Sequence, residues 1–342
     1  MNPEELKRLR KAKGLSLRNL AKKVGVSHSL LYLIEKGERR PKEELLDKIL
    51  AVLEIDFPQF MESSLITDIE PYYRLERRMR KREIERIKGE VLEFLKIYIE
   101  IEQIAEKVTT LKNEYPYNFS FTEKYKVSTM EEIEEVVLDV RNRLSIGIDP
   151  IRNVTDLLED IGIRVIYIDG LKDFWAMAFE LQDRSPVIAL KRGIAGDRGR
   201  FSLSHELGHI LLEPSESLNF EQVAHRFAGA FLFPKSACIL QFGERRSAIS
   251  LEELKIAKFK YGVSMTSILH RLFDLGIISS PLYKRYRKEF NSKGWDKREP
   301  VELEKESPGK IKRLLLILEQ EGIIDIHTRM EYEYKLFGIW GL

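Results

Sequence analysis

The spacing of apolar residues along the chain predicts a succession of helices. From residue 1 to about residue 57 they recur at helical spacing, and Gly14, Gly25 and Gly37 interrupt them, which predicts several short helices joined by tight turns. A single long charged helix is predicted from about Tyr72 to Lys112, where apolar residues recur without holding a strict heptad. This pattern leaves two alternatives open: the helix packs on another domain, or it pairs two chains as a coiled coil.

The middle of the chain adds strands to the helices. Helices are predicted over 129–144 and 151–161. The segments GIRVIYID (162–169) and PVIALK (186–191) predict strands, because they are rich in β-branched residues and bounded by glycine or proline. The chain then continues mainly helical into a charged tail with one amphipathic helix over 308–321. The predicted fold class is therefore mainly α with a small β-sheet (α+β).

Composition and charge narrow the class of protein. Apolar residues make up 43% of the chain, and 57 Lys and Arg against 55 Asp and Glu give a net charge of +2. This balance excludes a polycation that coats nucleic acid by bulk charge, although a local basic surface remains compatible with it. Cys238 is the only cysteine, which excludes an intrachain disulfide framework and a multi-cysteine metal site. Neither a secretory signal nor about 18 consecutive apolar residues occurs, so the prediction is a cytoplasmic protein with no membrane segment.

The segment LSLRNLAKKVGVSHSLLYLIEKGERRP predicts a helix, a turn at Val24-Gly25-Val26 and a second helix capped by Ser27. Leu30, Leu31 and Ile34 of the second helix face the core, which leaves its opposite face to residues able to contact bases or phosphates in a major groove. The predicted DNA-contacting residues are Arg18, Ser27, His28, Ser29, Tyr32, Lys36, Arg39 and Arg40. The alternative is a small helical module that holds a protein partner.

Residues 4–55 resemble the XRE-like (Cro/repressor-type) helix-turn-helix domain. The resemblance rests on the run from Ser29 to Pro41, which contains I-E-x-G followed by arginine and proline, with Leu33 and Ile34 in the core positions. It implies a compact all-α domain that binds double-stranded operator DNA, usually as a homodimer.

The segment FSLSHELGHILLEP (201–214) carries the strongest chemical signal. His205 and His209 are four residues apart, so they share one helical face and can direct their ring nitrogens to a common point. Glu206 lies beside that face, where its carboxylate can act as general base toward a metal-bound water. The alternative is a pair of hydrogen-bonded core histidines beside a surface glutamate. A third protein ligand would distinguish the two.

The segment NFEQVAHRFAGAFLFP (219–234) offers that third ligand. Its helical pattern turns apolar residues toward the core and places Glu221 and His225 together on another face. Either residue could complete three ligands and leave a fourth position for water, as catalytic zinc requires.

Together the two segments resemble the ImmA/IrrE family of zinc metallopeptidases, whose pattern is roughly R-F-T-x-A-H-E-x-G-H followed by E-x-x-A-N-x-F-A. By that resemblance His205, His209 and Glu221 bind Zn²⁺ and Glu206 is the base. His225 stands where the family usually has asparagine, and three roles stay open for it: orienting a ligand, stabilising an oxyanion, or filling a buried polar gap.

The two resemblances imply a domain order. An N-terminal helix-turn-helix domain is followed by a long helical linker, a zincin-like metallopeptidase domain and a second helix-turn-helix-like subdomain, for which DNA contact and packing both stay open. The predicted boundaries are 1–60 for the DNA-binding domain, 61–128 for the linker, 129–249 for the peptidase domain, 250–282 for the subdomain and 283–342 for a charged extension.

The resemblances also imply a function. A DNA-binding transcriptional regulator would be fused to a zinc-dependent endopeptidase that cleaves a repressor- or antitoxin-like protein in a stress or mobile-element response. PVIALK is expected to be the edge strand above the metal, where a substrate strand adds by backbone pairing. The alternative is a non-catalytic regulator or antitoxin whose zinc is structural or sensory, and an open fourth ligand position would argue against it.

Overall fold

The computed structural model describes part of the chain. The described residues are 6–7, 9–10, 13, 15–39, 41–53, 55, 69–72, 81–106, 121, 123–172, 174–181 and 185–337. The chain divides into two compact units: Met1–Glu70 with Leu181–Asp183, and Pro71–Glu180 with Arg184–Leu342. Helices predominate and the sheets are small, as the sequence predicts. Among the described helices, none has both the length and the apolar character that crossing a membrane requires.

The first unit contains three helices with described bounds. They are α1 (Leu17–Val24), α2 (His28–Glu35) and α3 (Glu43–Leu53). Leu20, Leu31 and Ile49 are fully buried between them, as helical spacing of apolar residues requires. The serines that precede the first two helices act as N-caps, since the Ser16 and Ser27 hydroxyl oxygens each accept a backbone N–H three residues later.

The second unit combines eleven described helices with five strands and with Pro71, the second residue of strand β1. The first elements are β1 (Glu70–Pro71), α4 (Lys81–Glu106), β2 (Tyr125–Val127), α5 (Glu132–Arg143), α6 (Val154–Asp160), β3 (Arg164–Ile168), β4 (Ala176–Glu180) and β5 (Pro186–Lys191). Next come α7 (Gly196–Leu211), β6 (Leu212–Pro214), α8 (Phe220–Leu232), α9 (Lys235–Phe242), α10 (Leu251–Tyr261) and α11 (Met265–Asp274). The last are α12 (Ser280–Ser292), α13 (Lys310–Gln320) and α14 (Ile326–Phe337).

The main sheet has four strands in the order β1-β4-β5-β3. Strand β5 is parallel to β3 and antiparallel to β4, with Ile188 opposite both Val165 and Ala178. A second, two-stranded parallel sheet pairs β2 with β6. Most of β5 is buried, because it lies in the middle of a sheet whose two faces are both covered.

The long helix α4 packs inside the second unit. Its apolar residues, among them Val91, Leu95 and Ile101, are fully buried. Glu102 accepts hydrogen bonds from Arg164 of β3 at 2.9 Å and from Lys310 of α13 at 2.7 Å. The described part of this helix therefore favours packing on a domain over a coiled coil. Tyr72, the predicted start, is not helical, and residues 73–80 and 107–112 of the predicted helix lie outside the described residues.

Several described elements differ from the sequence-based expectation. The short strands β1, β2 and β6 form where no strand was expected. The helices α12 and α14 extend the helical structure into the tail, for which a single helix was expected. Along the sequence, strand β4 comes between the two expected strands, β3 and β5. It consists of a short run, AMAFE, whose strand conformation comes from pairing with β5.

Candidate metal centre and nucleic-acid surface

Two closely packed helices bring the metal-ligand candidates together. Helix α7 carries His205 and His209, and helix α8 carries Glu221 in its first turn. Gly208 permits the close approach, since a Cβ atom there would lie 3.2 Å from the Phe227 ring and 3.3 Å from the backbone of α8. The glycine inside the H-E-L-G-H sequence thus has a packing role that helps to place the ligands of α7 against that of α8.

The three side chains converge on one point. The Nε2 atoms of His205 and His209 lie 3.1 Å apart. The carboxylate oxygens of Glu221 lie 3.7 Å from the first of these nitrogens and 3.4 Å from the second. Both histidines are buried and the glutamate is mostly covered, so the cluster is shielded from bulk water.

This donor set fits a zinc ion. Bonds of about 2.0–2.2 Å place tetrahedral zinc ligands roughly 3.3–3.6 Å apart, which matches the spacing of these three atoms within a few tenths of an ångström. Two imidazoles and one carboxylate are also typical ligands of catalytic zinc. Among the described residues, His205, His209 and Glu221 make up the one group of histidine, cysteine or acidic residues with this metal-binding geometry.

Glu206 lies beside the cluster and is oriented by strand β4. Its carboxylate accepts the Ala178 backbone N–H at 2.8 Å. Burial raises the pKa of this carboxyl group, and the neighbouring Glu221 carboxylate adds to the rise, whereas His209 and the Ala178 N–H oppose it. A buried carboxylate with one oxygen held by backbone is well suited to exchange a proton with a group in the cavity.

His225 lies one helical turn after Glu221 and packs against the cluster. Its ring centroid is 4.6 Å from that of His205, in an edge-to-face arrangement. Its Nδ1 atom is 3.0 Å from the Glu221 backbone carbonyl, and because a carbonyl only accepts, Nδ1 carries the hydrogen. His225 is not in the metal-binding group, so of the two candidates for third ligand Glu221 has the fitting position.

Two adjoining cavities lie against the cluster. One cavity of about 690 Å³ is lined by all three ligand candidates, by Glu206 and by part of β4. A second cavity of about 1250 Å³ shares Glu221 and His225 with the first.

The expected position of PVIALK is wrong. This segment forms β5, an internal strand with β4 on one side and β3 on the other. The strand that reaches the metal cluster is β4, through the hydrogen bond from Ala178 to Glu206. A continuous apolar run is typical of a central strand, so the sequence contained this signal.

The two predicted helices and the turn between them form in the first unit. Gly25 ends α1 in the left-handed conformation, with φ of 80°, which glycine adopts without strain. Arg10 and Glu35 form a buried two-pronged ion pair at 2.7 and 2.8 Å, so the glutamate of the I-E-x-G run has a structural role. This pair fixes the second helix against the start of the domain.

The predicted DNA-contacting residues lie on the surface. The exposed ones are Arg18 at the start of α1, Ser27 at the cap of α2, His28, Ser29, Tyr32 and Lys36 on and just after α2, and Arg39 beyond it. Ser27 also holds the N-terminus of α2. Arg40 lies outside the described residues. Contact of these side chains with DNA stays a prediction.

Sequence reasoning missed one part of the cleft, the segment that follows α12. Trp295, Arg298 and Val301 line the same cavity as the metal-ligand candidates. The charged sequence KGWDKREPVELEKESPG is typical of a solvated tail. Its single tryptophan, Trp295, is the one residue whose type indicates a packed segment.

The fold and the two sites define a regulator-like chain with a DNA-binding unit and a metallopeptidase-like unit. Family models match the corresponding stretches: residues 6–60 match "Helix-turn-helix", and residues 158–273 match "IrrE N-terminal-like domain". The chain is thus a fusion of a helix-turn-helix DNA-binding domain with a domain of the IrrE-like peptidase family, which confirms both resemblances. A comparison with curated proteins gave no match.

Proposed function

We propose that this protein is a DNA-binding transcriptional regulator with a built-in zinc-dependent endopeptidase. The observation that carries the proposal is the convergence of two imidazole nitrogens and a carboxylate at 3.1–3.7 Å, beside a buried glutamate and open to a cleft. A bound zinc ion would polarise the scissile carbonyl and make water nucleophilic at neutral pH.

The chain's own residues supply the proton transfer. Glu206 takes a proton from the attacking water and later delivers it to the leaving amine. The Ala178 N–H holds one carboxylate oxygen of Glu206 in place, and Glu206 lines the cavity, so its carboxylate is positioned for both proton transfers. His225 is proposed to steady the His205 ring by packing on it, which is the first of the three roles left open.

The Ala176 end of strand β4, beyond the contact of Ala178 with Tyr72 on the β1 side, is the proposed binding edge for substrate. The N–H and C=O of Ala178 both point away from β5, the N–H toward Glu206 and the C=O toward the N–H of Tyr72. Because backbone direction repeats every second residue, Ala176 points its N–H and C=O to the same side, and it lines the cavity. An extended substrate segment would pair with β4 there and pass over the cluster.

The substrate class follows from the DNA-binding unit. A regulator that occupies an operator, as a homodimer over two half-sites, is brought close to other proteins bound there. A repressor- or antitoxin-like protein is therefore the proposed substrate, with its cleavage switching transcription in a stress or mobile-element response. The alternative of a purely structural or sensory zinc is less well supported, because a structural site would need a fourth protein ligand and the described cluster offers three.

Metal analysis combined with cleavage assays tests the proposal. Zinc should be present at about one ion per chain in the wild type and in Glu206→Gln, and absent from His209→Ala, with the exposed His270→Ala as control. Repressor-like proteins encoded beside the gene are incubated with each variant and with chelator. Glu206→Gln should lower the cleavage rate roughly 10²- to 10⁴-fold, whereas the exposed Glu213→Gln should not. Wild-type cleavage rates in Glu206→Gln would rule out the mechanism.

A further inference from the structure

The segment that connects α12 to α13, residues 294–309, is called the C-terminal strap here. It follows the residues matched by the peptidase family model, which end at 273. The strap nevertheless lines the metal cavity from Trp295 to Leu303. The rest of this cavity is lined mainly by β4, α7, α8 and the start of α11, so the strap adds a wall to the cleft from outside the matched region.

Glu299 anchors the first half of the strap. Its carboxylate accepts the backbone N–H groups of Met265 and Thr266 at the start of α11, both at 3.0 Å. The same carboxylate pairs at 2.8 Å with Lys258, which is fully buried and also pairs with Asp197. Charge-assisted bonds to a helix N-terminus and a buried ammonium hold this part of the strap firmly.

Glu306 anchors the second half in a similar way. Its carboxylate accepts the N–H groups of Val154 and Thr155 at the start of α6, at 3.0 and 2.9 Å, and pairs with the buried Arg200. Between the two anchors the strap lies directly on α7, where a Cβ atom on Gly196 would collide with strap carbonyl oxygens. The strap is therefore a fixed wall and not a lid, because opening it would strip several buried charges of their partners.

The strap brings three apolar side chains to the cavity, Trp295, Val301 and Leu303, among five charged ones, Asp296, Lys297, Arg298, Glu299 and Glu302. Trp295 and Val301 are half-buried and line the cavity, while Arg298 is exposed and paired with Glu302. The Trp295 ring is supported from behind by Phe290, at 5.1 Å between ring centroids. Trp295 and Val301 thus leave apolar surface in the cleft, and a ligand side chain that covers this surface gains free energy in proportion to the apolar area it buries.

We propose that the strap is the specificity wall of the cleft, and that Trp295 and Val301 select a large apolar side chain of the bound polypeptide. This inference rests on the proposed function insofar as it takes the cleft to bind polypeptide. It assigns to these two residues a choice among substrates and no part in the bond-breaking step. Their substitution should change which peptides bind while leaving zinc content unchanged.

The test measures peptide binding instead of turnover. A random peptide library is selected on zinc-loaded Glu206→Gln protein, alone or combined with Trp295→Ala or Val301→Asp. Phe259→Ala, an exposed aromatic residue outside the cleft lining, is the matched control. Peptides enriched on the parent should carry a large apolar residue at one position, and both strap variants should lower that preference at least about tenfold.

The outcomes separate the two proposals. Equal enrichment on the parent and on a folded Val301→Asp protein, or no peptide enrichment at all, would overturn the specificity wall. If Trp295→Ala loses its fold by circular dichroism, Val301→Asp decides alone, because Val301 is half-buried at the cavity. Enriched peptides are then incubated with the wild-type protein. Strap-dependent binding without cleavage would reject the endopeptidase while leaving the specificity wall in place.

Discussion

Glu159 of α6 has a buried carboxyl group that contacts the last residue of the strap, and this group makes the stability of the second unit dependent on pH. Glu159 of α6 is 1% exposed, and one of its oxygens accepts the N–H groups of Gly309 and Lys310 at the start of α13, both at 2.9 Å. The other oxygen has no hydrogen-bond partner among the described residues. Burial raises the pKa of this carboxyl group to about 7, although the two N–H groups oppose the rise.

The sign of the effect follows from proton linkage. Between the unfolded pKa of 4.5 and the folded value of about 7, the folded protein holds a proton that the unfolded chain has released. Stability from this group is therefore fully present below pH 4.5 and is lost as the pH rises to 7. A difference of about 2.5 pKa units corresponds to roughly 3 kcal/mol as an upper value.

Glu159→Gln tests this reasoning. The amide stays neutral at every pH and keeps a carbonyl oxygen for the two N–H donors, so it avoids the cost of ionisation. As the pH rises from 4.5 to 7, the free energy of unfolding of the variant should increase relative to wild type by up to about 3 kcal/mol. Each kcal/mol corresponds to roughly 2–4 °C in Tm. Melting curves of both proteins at pH 5 and pH 8 measure this, with the exposed Glu304→Gln as control. The same Tm difference at the two pH values would refute it.

Three further predictions concern the DNA-binding unit and the strap. Arg10→Met should destabilise the DNA-binding unit by about 3–5 kcal/mol in urea unfolding, because the Glu35 charge stays buried without its partner, and adding Glu35→Met should restore most of the loss. Arg18→Ala and Arg39→Ala should each make the plot of log operator affinity against log salt concentration less steep by about 1. An unchanged slope would place that residue away from phosphate. Gly196→Ala should cost about 1–3 kcal/mol in thermal unfolding by displacing the strap backbone, and full stability would contradict the tight contact.

The metal cluster could be predicted from sequence because its geometry is largely local. Four residues of helix fix how His205 and His209 face one another, and no other part of the fold is needed for that. Glu221 required either the family pattern or the structure, since His225 lies on the same helical face. The structure separates the two, because Glu221 projects to the imidazole nitrogens while His225 packs on the side of a ring.

The parts that could not be predicted depend on contacts distant in sequence. The conformation of β4 depends on β5, and nothing in AMAFE alone distinguishes a strand from a loop. Glu299 and Glu306 look like surface charges, yet they bind helix starts 34 and 152 residues away. A carboxylate's partner is set by the tertiary fold, so periodicity gives no information about it.

The two helix-turn-helix elements of the chain show how far local sequence reaches. Both contain Gly-Val-Ser between their helices. Gly25 and Gly262 adopt left-handed conformations, with φ of 80° and 67°, and Ser27 and Ser264 each cap the second helix. The same three residues therefore produce the same turn at two places, because glycine alone takes this φ without strain and serine satisfies the next helix start.

Burial, and not the turn, separates the roles of these two elements. The residue after the capping serine is the exposed His28 in α2 but the fully buried Met265 in α11, and four positions later Tyr32 is exposed whereas Leu269 is buried. The N–H groups at the start of α11, which a phosphate would need, already donate to Glu299. The second element thus packs inside the peptidase-like unit and supports the strap, whereas α2 keeps the exposed face that the proposed DNA contact requires.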